Sequence, residues 1–222
     1  MSGMSKNKRA RFTAYFLIIF YSVGLVGLGL PSFRELFIGL MPLTLLLSMA
    51  ILLLFHNRWR STDGMVLLFI AITGYLIEVL GVITGHVFGS YWYGSALGLK
   101  AFDTPLIIGL NWAMLTYCAF AIMEPTRLFW PLKAIAGAFL MVAYDLVMEP
   151  AAPLLSMWDW HHWYIDGWIA PLRNYQAWFI ISLVFLSGMH LARIRTGNRL
   201  APWLFSIQMV FFLSLNILLR IT

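Results

Sequence analysis

One cysteine, Cys118, lies alone in an apolar run, which excludes an intrachain disulfide framework and a cysteine-based metal site. Charge is also scarce. Only 11% of the 222 residues are Asp, Glu, Lys or Arg, against about 25% in soluble domains, too few to clothe a water-facing surface. No P-loop, dinucleotide fingerprint or GxSxG elbow occurs, so redox cofactors and covalent acyl chemistry have no support. The histidines are His56, His86, His161, His162 and His190, without the close-spaced clusters that membrane di-iron oxygenases need. A metal site from His86, His161, His162 and Asp159 is a weak reading, and neither a metal nor a cofactor is expected. There is no internal repeat and no low-complexity tract.

What remains is apolar. Hydrophobic residues make up 61% of the chain, aromatics 16%, and the mean hydropathy is +0.83. The expected fold class is all-α integral membrane, with one polytopic domain over residues 12–222 behind a basic tail, 1–11. Seven apolar runs are expected to be helices in one bundle: 12–30, 36–55, 65–85, 105–123, 129–148, 175–191 and 201–221. Each is about 17–21 residues long, enough to cross a hydrocarbon core of about 30 Å. Pro42 is placed to kink the second run, and Pro105 to open the fourth. The first run is as long as a span, with no small-residue cleavage site after a short core, so it is read as retained.

The net charge of +6 does not point to nucleic acid, because the basic residues sit in short clusters between apolar runs. With a cytoplasmic N-terminus, ten fall inside: Lys6, Lys8, Arg9, Arg11, Arg58, Arg60, Arg127, Arg193, Arg195 and Arg199. Four fall outside: Arg34, Lys100, Arg173 and Arg220. That bias predicts the N-terminus inside. The two long loops, 86–103 and 151–173, and the acids at 78, 145 and 149 then share the outer half.

Those acids are the candidate chemistry. Glu78 interrupts the third run, where a carboxyl group costs about 2.5–3.5 kcal/mol on insertion scales. Gly74, Gly81 and Gly85 share its helical stripe, so the acid is expected to face a seam where another helix packs closely. The bland alternative is a protonated acid that only fixes packing. Asp145 and Glu149 are one turn apart on one face; two such acids repel if both ionise, a spacing that suits an acid working with a base. Glu149 alone reads equally as an interfacial residue before Pro150. Asn111 and Asn174 are neutral groups that could position water, although Asn174 is also a candidate helix N-cap. Thr84 and Thr104 read as caps or back-bonded hydroxyls. Tyr91, Trp92 and Tyr93, and Trp158, Trp160, Trp163 and Tyr164, read as an interfacial belt or a lid; aromatic faces can also shelter a cation.

Taken together, Glu78, Gly81, Thr84 and Gly85, then Phe88, Gly89, Tyr91 and Tyr93, Leu97, Gly98, Pro105, and Asn111 with Trp112 resemble the signature of the membrane carotenoid hydratases. Asp145 with Glu149 and Pro150, Trp158 with Trp160, and Pro171, Asn174 and Trp178 are similar to that family's second motif region. The resemblance covers about residues 65–190; the Ile165 to Trp168 region fits it less well. It implies a cofactor-independent hydro-lyase of carotenoid biosynthesis, acting on γ-carotene or bisanhydrobacterioruberin. Such an enzyme adds water to the terminal C=C of an acyclic end group. In that chemistry a carboxyl group protonates the alkene, and a tertiary carbocation is captured by water. Glu78 is the expected acid, and Asp145 and Glu149 activate water. Asn111, Asn174, Tyr91, Tyr93, Trp112, Trp160 and Trp178 would contact or position substrate.

The implied partners are a carotenoid that reaches the site sideways from the bilayer, water, and other enzymes of the same pathway; no oligomeric state is implied. The expected location is the cytoplasmic membrane of a bacterium or archaeon. Two other readings stay open: a membrane lycopene cyclase, which begins with the same protonation, and a transporter or lipid-binding protein with the acids as a proton relay. A purely structural subunit is disfavoured by the buried acids.

Overall fold

A computed structural model describes residues 6–161 and 170–220, which hold eight α-helices and four short strands. The helices are α1 (Lys6–Gly29), α2 (Pro31–Gly39), α3 (Met41–Leu54), α4 (Ser61–Thr84), α5 (Ile107–Met123), α6 (Trp130–Met148), α7 (Leu172–Leu191) and α8 (Ala201–Leu218). Four are long and apolar enough to cross a membrane, α1, α4, α6 and α8, and the bent pair α2–α3 makes five. The seven expected crossings are thus not all supported by length and composition. Helix α7 falls outside that set: Arg173, Asn174, Gln176 and His190 dilute its apolar run. Side chains such as Phe12, Leu54, Met65 and Leu68 stand more than half exposed, a surface that suits hydrocarbon and not water.

Helix α1 begins at Lys6, so Lys8, Arg9 and Arg11 extend the first apolar helix. The second run is broken. Pro42 cannot donate the backbone bond that would continue α2 into α3, and the two axes meet at 55°. The fourth run opens later than expected: Pro105 belongs to strand β3 (Thr104–Pro105), which pairs with β2 (Lys100–Ala101), and α5 starts two residues on. The turn between those strands puts Phe102 and Asp103 at positive φ.

Helix α5 is the pillar of the bundle. Thirteen of its 17 residues are buried, and α3, α4, α6, α7 and α8 pack around it. Its closest approach is to α4. A Cβ on Gly109 would run into the Ala71 carbonyl and come within 2.9 Å of Tyr75 Cβ, and one on Gly74 would come within 2.8 Å of Trp112 Cβ. The glycine stripe beside Glu78 therefore does admit a neighbouring helix at Gly74. Gly81 instead makes room for the rings of Phe88 and Tyr91, from the segment after α4.

At one end of the bundle the connections are locked by a buried polar network. His56 stacks on Trp59, and its ring lies 3.0 Å from Tyr117 Oη and 3.3 Å from Asp63 Oδ2. Asn198 donates to Leu52 O and Tyr117 Oη, and Glu124 accepts from Thr196 and Gly197. At the other end, β1 (Tyr91–Tyr93) pairs antiparallel with β4 (Trp158–Trp160).

If the α4–α5 contact holds the pillar in place, Gly109→Val should destabilise the protein by about 1–3 kcal/mol, as overpacking does in other cores. Gly188→Ala, inside α7 where an added Cβ meets nothing within 4 Å, should leave the melting temperature in detergent unchanged or slightly raised, since Ala favours the helix over Gly. Equal melting temperatures for both variants would remove this role from Gly109.

Candidate active site

The β1–β4 ladder explains the aromatic clusters. Tyr91 faces Trp160 and Tyr93 faces Trp158 across the two strands, while Trp92 faces Asp159. Successive side chains of a strand point to opposite faces, so one face of the ladder carries Tyr91, Tyr93, Trp158 and Trp160, all buried. The other carries Trp92 and Asp159, both exposed. The inward face bears four O–H or N–H groups, and beneath it lie two carboxyl groups.

Glu78 receives three of the local donors. Tyr91 Oη donates to Oε2 at 2.6 Å, Tyr93 Oη to Oε2 at 2.8 Å, and Trp112 Nε1 to Oε1 at 2.8 Å. Glu149 receives the indoles of the other strand: Trp160 Nε1 donates to Oε2 at 2.8 Å, and Trp158 Nε1 lies 3.3 Å from each oxygen. An indole N–H can only donate, so Trp112 fixes Oε1 of Glu78 as an acceptor. Glu149 lies one residue beyond the apolar stretch Trp130–Met148. Burial pushes its carboxyl up to about 7, against the pull of the two indole donors and with the push of charge on Glu78.

Asp145 differs. Asn174 Nδ2 donates to Oδ2 at 2.6 Å, and Oδ1 is buried with no hydrogen-bond partner among the described residues. Asn174 is therefore a carboxyl partner and not the N-cap of α7, a position held by Pro171. A buried unsatisfied oxygen costs about 1–3 kcal/mol, so Oδ1 marks a place where a proton, a water or a reacting group would be welcome.

These groups enclose a pocket of about 20 Å³, lined by Glu78, Phe88, Tyr91, Tyr93, Ile108, Asn111, Asp145, Met148, Glu149, Trp158, Trp160, Asn174 and Trp178. That is room for about one water, which needs roughly 10–15 Å³ of such space. Of the ten residues singled out from sequence, nine line it. The tenth, Trp112, sits behind Glu78 and stacks on Trp178 with ring centres 4.3 Å apart. Trp158, read as belt or lid, belongs to the site; its spacing of two from Trp160 on a strand was the available signal. His162, Trp163, Tyr164 and the Ile165 to Trp168 region lie outside the described residues. Thr84 is back-bonded to Leu80 O at 2.6 Å, and Thr104 to Phe102 O at 3.2 Å.

A second cavity abuts the first. It measures about 330 Å³, is walled by α1, α2, α3, α5, α6 and α8, and shares Ile108, Asn111, Met148 and Trp158 with the small pocket. Among the described residues, its walls include no Asp, Glu, Lys, Arg or His. Its polar members Tyr21, Tyr144 and Gln208 bond to one another and to Ser48: Gln208 Nε2 donates to Tyr21 Oη at 2.7 Å, and Tyr21 Oη and Ser48 Oγ are 2.8 Å apart. Sequence reading overlooked this network, although Gln208 stands out in the apolar run of α8.

The chain is similar to known proteins over most of its length. The family described as "Carotenoid biosynthesis protein" matches residues 39–221. The chain is also similar to the bisanhydrobacterioruberin hydratase of Haloarcula japonica, with 27% identity over 155 residues. The aligned stretch spans 64% of this chain and half the length of that relative. No solved structure matches.

Because the ladder's rings hold the carboxyl groups, Trp160→Phe should lower stability by about 1–3 kcal/mol, since it removes the shortest bond to a buried carboxyl and leaves Oε2 only the 3.3 Å contact with Trp158. Trp92→Phe, on the exposed face, should change it by less than about 0.5 kcal/mol. Thermal melts in detergent check this, and the reverse ranking would argue against the ladder as the donor platform.

Proposed function

Because the chain belongs to the carotenoid biosynthesis protein family, we propose that it is a carotenoid hydratase, adding water across the terminal double bond of an acyclic end group without a cofactor. The observation that carries this reading is the junction of an apolar chamber of about 330 Å³ with a polar pocket of about 20 Å³ that three carboxyl groups line. The first suits a hydrocarbon chain and the second a single water. An internal cyclisation would need no polar room beside the cation.

Asp145 is the proton donor in this mechanism. It takes the role that sequence reading gave to Glu78, for a reason of hydrogen-bond supply. Both oxygens of Glu78 already accept, and Trp112 cannot reverse its bond. A proton on Glu78 would have to sit on Oε2 and turn a tyrosine hydroxyl into an acceptor. Asp145 Oδ1 faces no competing donor, and Asn174 steadies its other oxygen.

Protonation from Oδ1 places hydrogen on the less substituted alkene carbon, and the new C–H bond forms as the π bond breaks. The tertiary carbon is left positive. Its shelter is aromatic, from Tyr91, Trp160 and Trp178, and Glu78, anchored as an acceptor, supplies opposite charge. Water attacks the cation. Glu149, poised near neutrality, accepts the water's proton, and Asn111 and Asn174 orient the water. Proton exchange through the pocket then returns Asp145 to its acid form.

The same reading takes the bundle to be a multi-pass protein of a bacterial or archaeal cytoplasmic membrane, N-terminus inside, with α1, α2–α3, α4, α5, α6, α7 and α8 as seven crossings. Helix α5, with about 25 Å of rise, needs no full apolar coat because other helices surround it.

Expression in cells that accumulate lycopene should yield a pigment heavier by the mass of one water. In deuterated medium, deuterium should also appear on the carbon next to the new alcohol. Asp145→Asn should lose activity by about a hundredfold or more, the usual worth of a general acid, with unchanged elution from a sizing column. An unchanged pigment mass with a blue-shifted spectrum would mean cyclisation instead, and full activity in Asp145→Asn would remove it as the acid.

A further inference from the structure

The apolar chamber reaches the surface of the bundle. Two of its lining residues are well exposed: Val23 on α1 at 55% and Leu40, between α2 and α3, at 38%. Both are apolar, and no charged residue among those described lines the chamber, so its mouth suits lipid and not water. The mouth lies where α2 and α3 bend apart by 55°, and Phe37, Met41 and Thr44 frame it from those two helices. At the inner end stands Asn111, which is buried and lines both cavities.

We propose that this chamber is a socket for one end of a linear polyisoprenoid. The chain slides in sideways from the bilayer between α1 and the α2–α3 bend, end group foremost, until its terminal double bond meets the pocket at Asn111 and Asp145. The proposal rests on the hydration reading and adds the route, the direction and the extent of binding.

Three observations select the occupant. A charged headgroup would find no counter-charge among the lining residues, and Tyr21, Tyr144, Gln208 and Ser48 bond among themselves, which leaves Thr44 and Asn111 as the polar side chains a guest could meet. A volume of about 330 Å³ is at the lower end of small-molecule sites, about 300–1,000 Å³, so the socket takes an end and leaves the rest of a long polyene in the bilayer. The shared wall of Ile108, Asn111, Met148 and Trp158 leads from socket to acid with no intervening helix. The consequence is kinetic: a symmetric two-ended polyene must be hydrated in two separate visits.

Gly24 gives a clean test. It lines the socket, and an added Cβ would meet only Phe211, at 3.7 Å. Gly24→Ala should therefore behave as wild type, whereas Gly24→Phe fills the socket. Val23→Trp narrows the mouth from the lipid side and disturbs no core contact, so it decides the matter if Gly24→Phe does not fold. Ile19→Phe, at an exposed position of α1 that does not line the socket, is the control.

The first readout is lycopene retained, by visible absorbance, after purification into lipid nanodiscs in an Asp145→Asn background. The second is turnover in the wild-type background. Expected is a drop of roughly tenfold or more in both for Gly24→Phe and Val23→Trp, with Gly24→Ala and Ile19→Phe unchanged. In a time course with lycopene, the singly hydrated pigment should rise and fall before the doubly hydrated one.

Wild-type hydration with undiminished pigment binding in both blocked variants would overturn the socket. So would a doubly hydrated product formed without a free singly hydrated one. A wild-type protein that hydrates no acyclic substrate but loses bound lycopene on blocking would instead sink the hydration reading and keep the socket.

Discussion

Three carboxyl groups lie inside an apolar bundle, and most of what is unusual here follows from holding them there. Glu78, Asp145 and Glu149 are each at most 4% exposed. In such surroundings an unpartnered carboxylate is very costly, and no lysine or arginine among the described residues lines their pocket. The solution is neutral donors. Two tyrosines and three tryptophans aim O–H or N–H groups at Glu78 and Glu149, and an asparagine serves Asp145. Neutral donors steady a carboxyl group without cancelling its charge.

That arrangement needs a platform, and the β1–β4 ladder is one. Only an extended segment points alternate side chains to the same face, and only pairing two of them brings four rings over one pocket. The ladder joins parts of the chain that lie far apart in sequence, between α4 and α5 and between α6 and α7. At the opposite end, the network around His56, Tyr117, Asp63 and Asn198 clamps the connections. Between the two ends, α5 is rigidly surrounded, whereas the α2–α3 wall is broken at Leu40.

Much of the site was legible from residue type alone. Glu78, Asp145 and Asn111 stood out because a hydrocarbon-spanning helix tolerates few polar side chains, so each exception signals a partner. The period of the helix also put Gly74 and Gly81 on the face of Glu78, and Pro42 marked the break between α2 and α3. Less legible were elements whose signal is weak or shared. The aromatic runs 91–93 and 158–160 fit an interfacial belt as well as a strand, because three residues carry too little periodicity to choose. Helix α5 was placed two residues early, since Pro105 suits a strand edge as well as a first helical turn.

The amino-acid sequence by itself determined the class of the fold, the apolar helices and the identity of nearly every polar group in the pocket. These are consequences of composition and of the high cost of a charge in hydrocarbon, which act residue by residue. Only the tertiary structure decided which donor meets which carboxyl oxygen, that Asp145 keeps one oxygen without a partner among the described residues, and that an apolar chamber lies beside it. Those depend on pairing β1 with β4 and on five helices closing around α5. They are distances between residues remote in the chain, and such distances are set by packing, not by local preference.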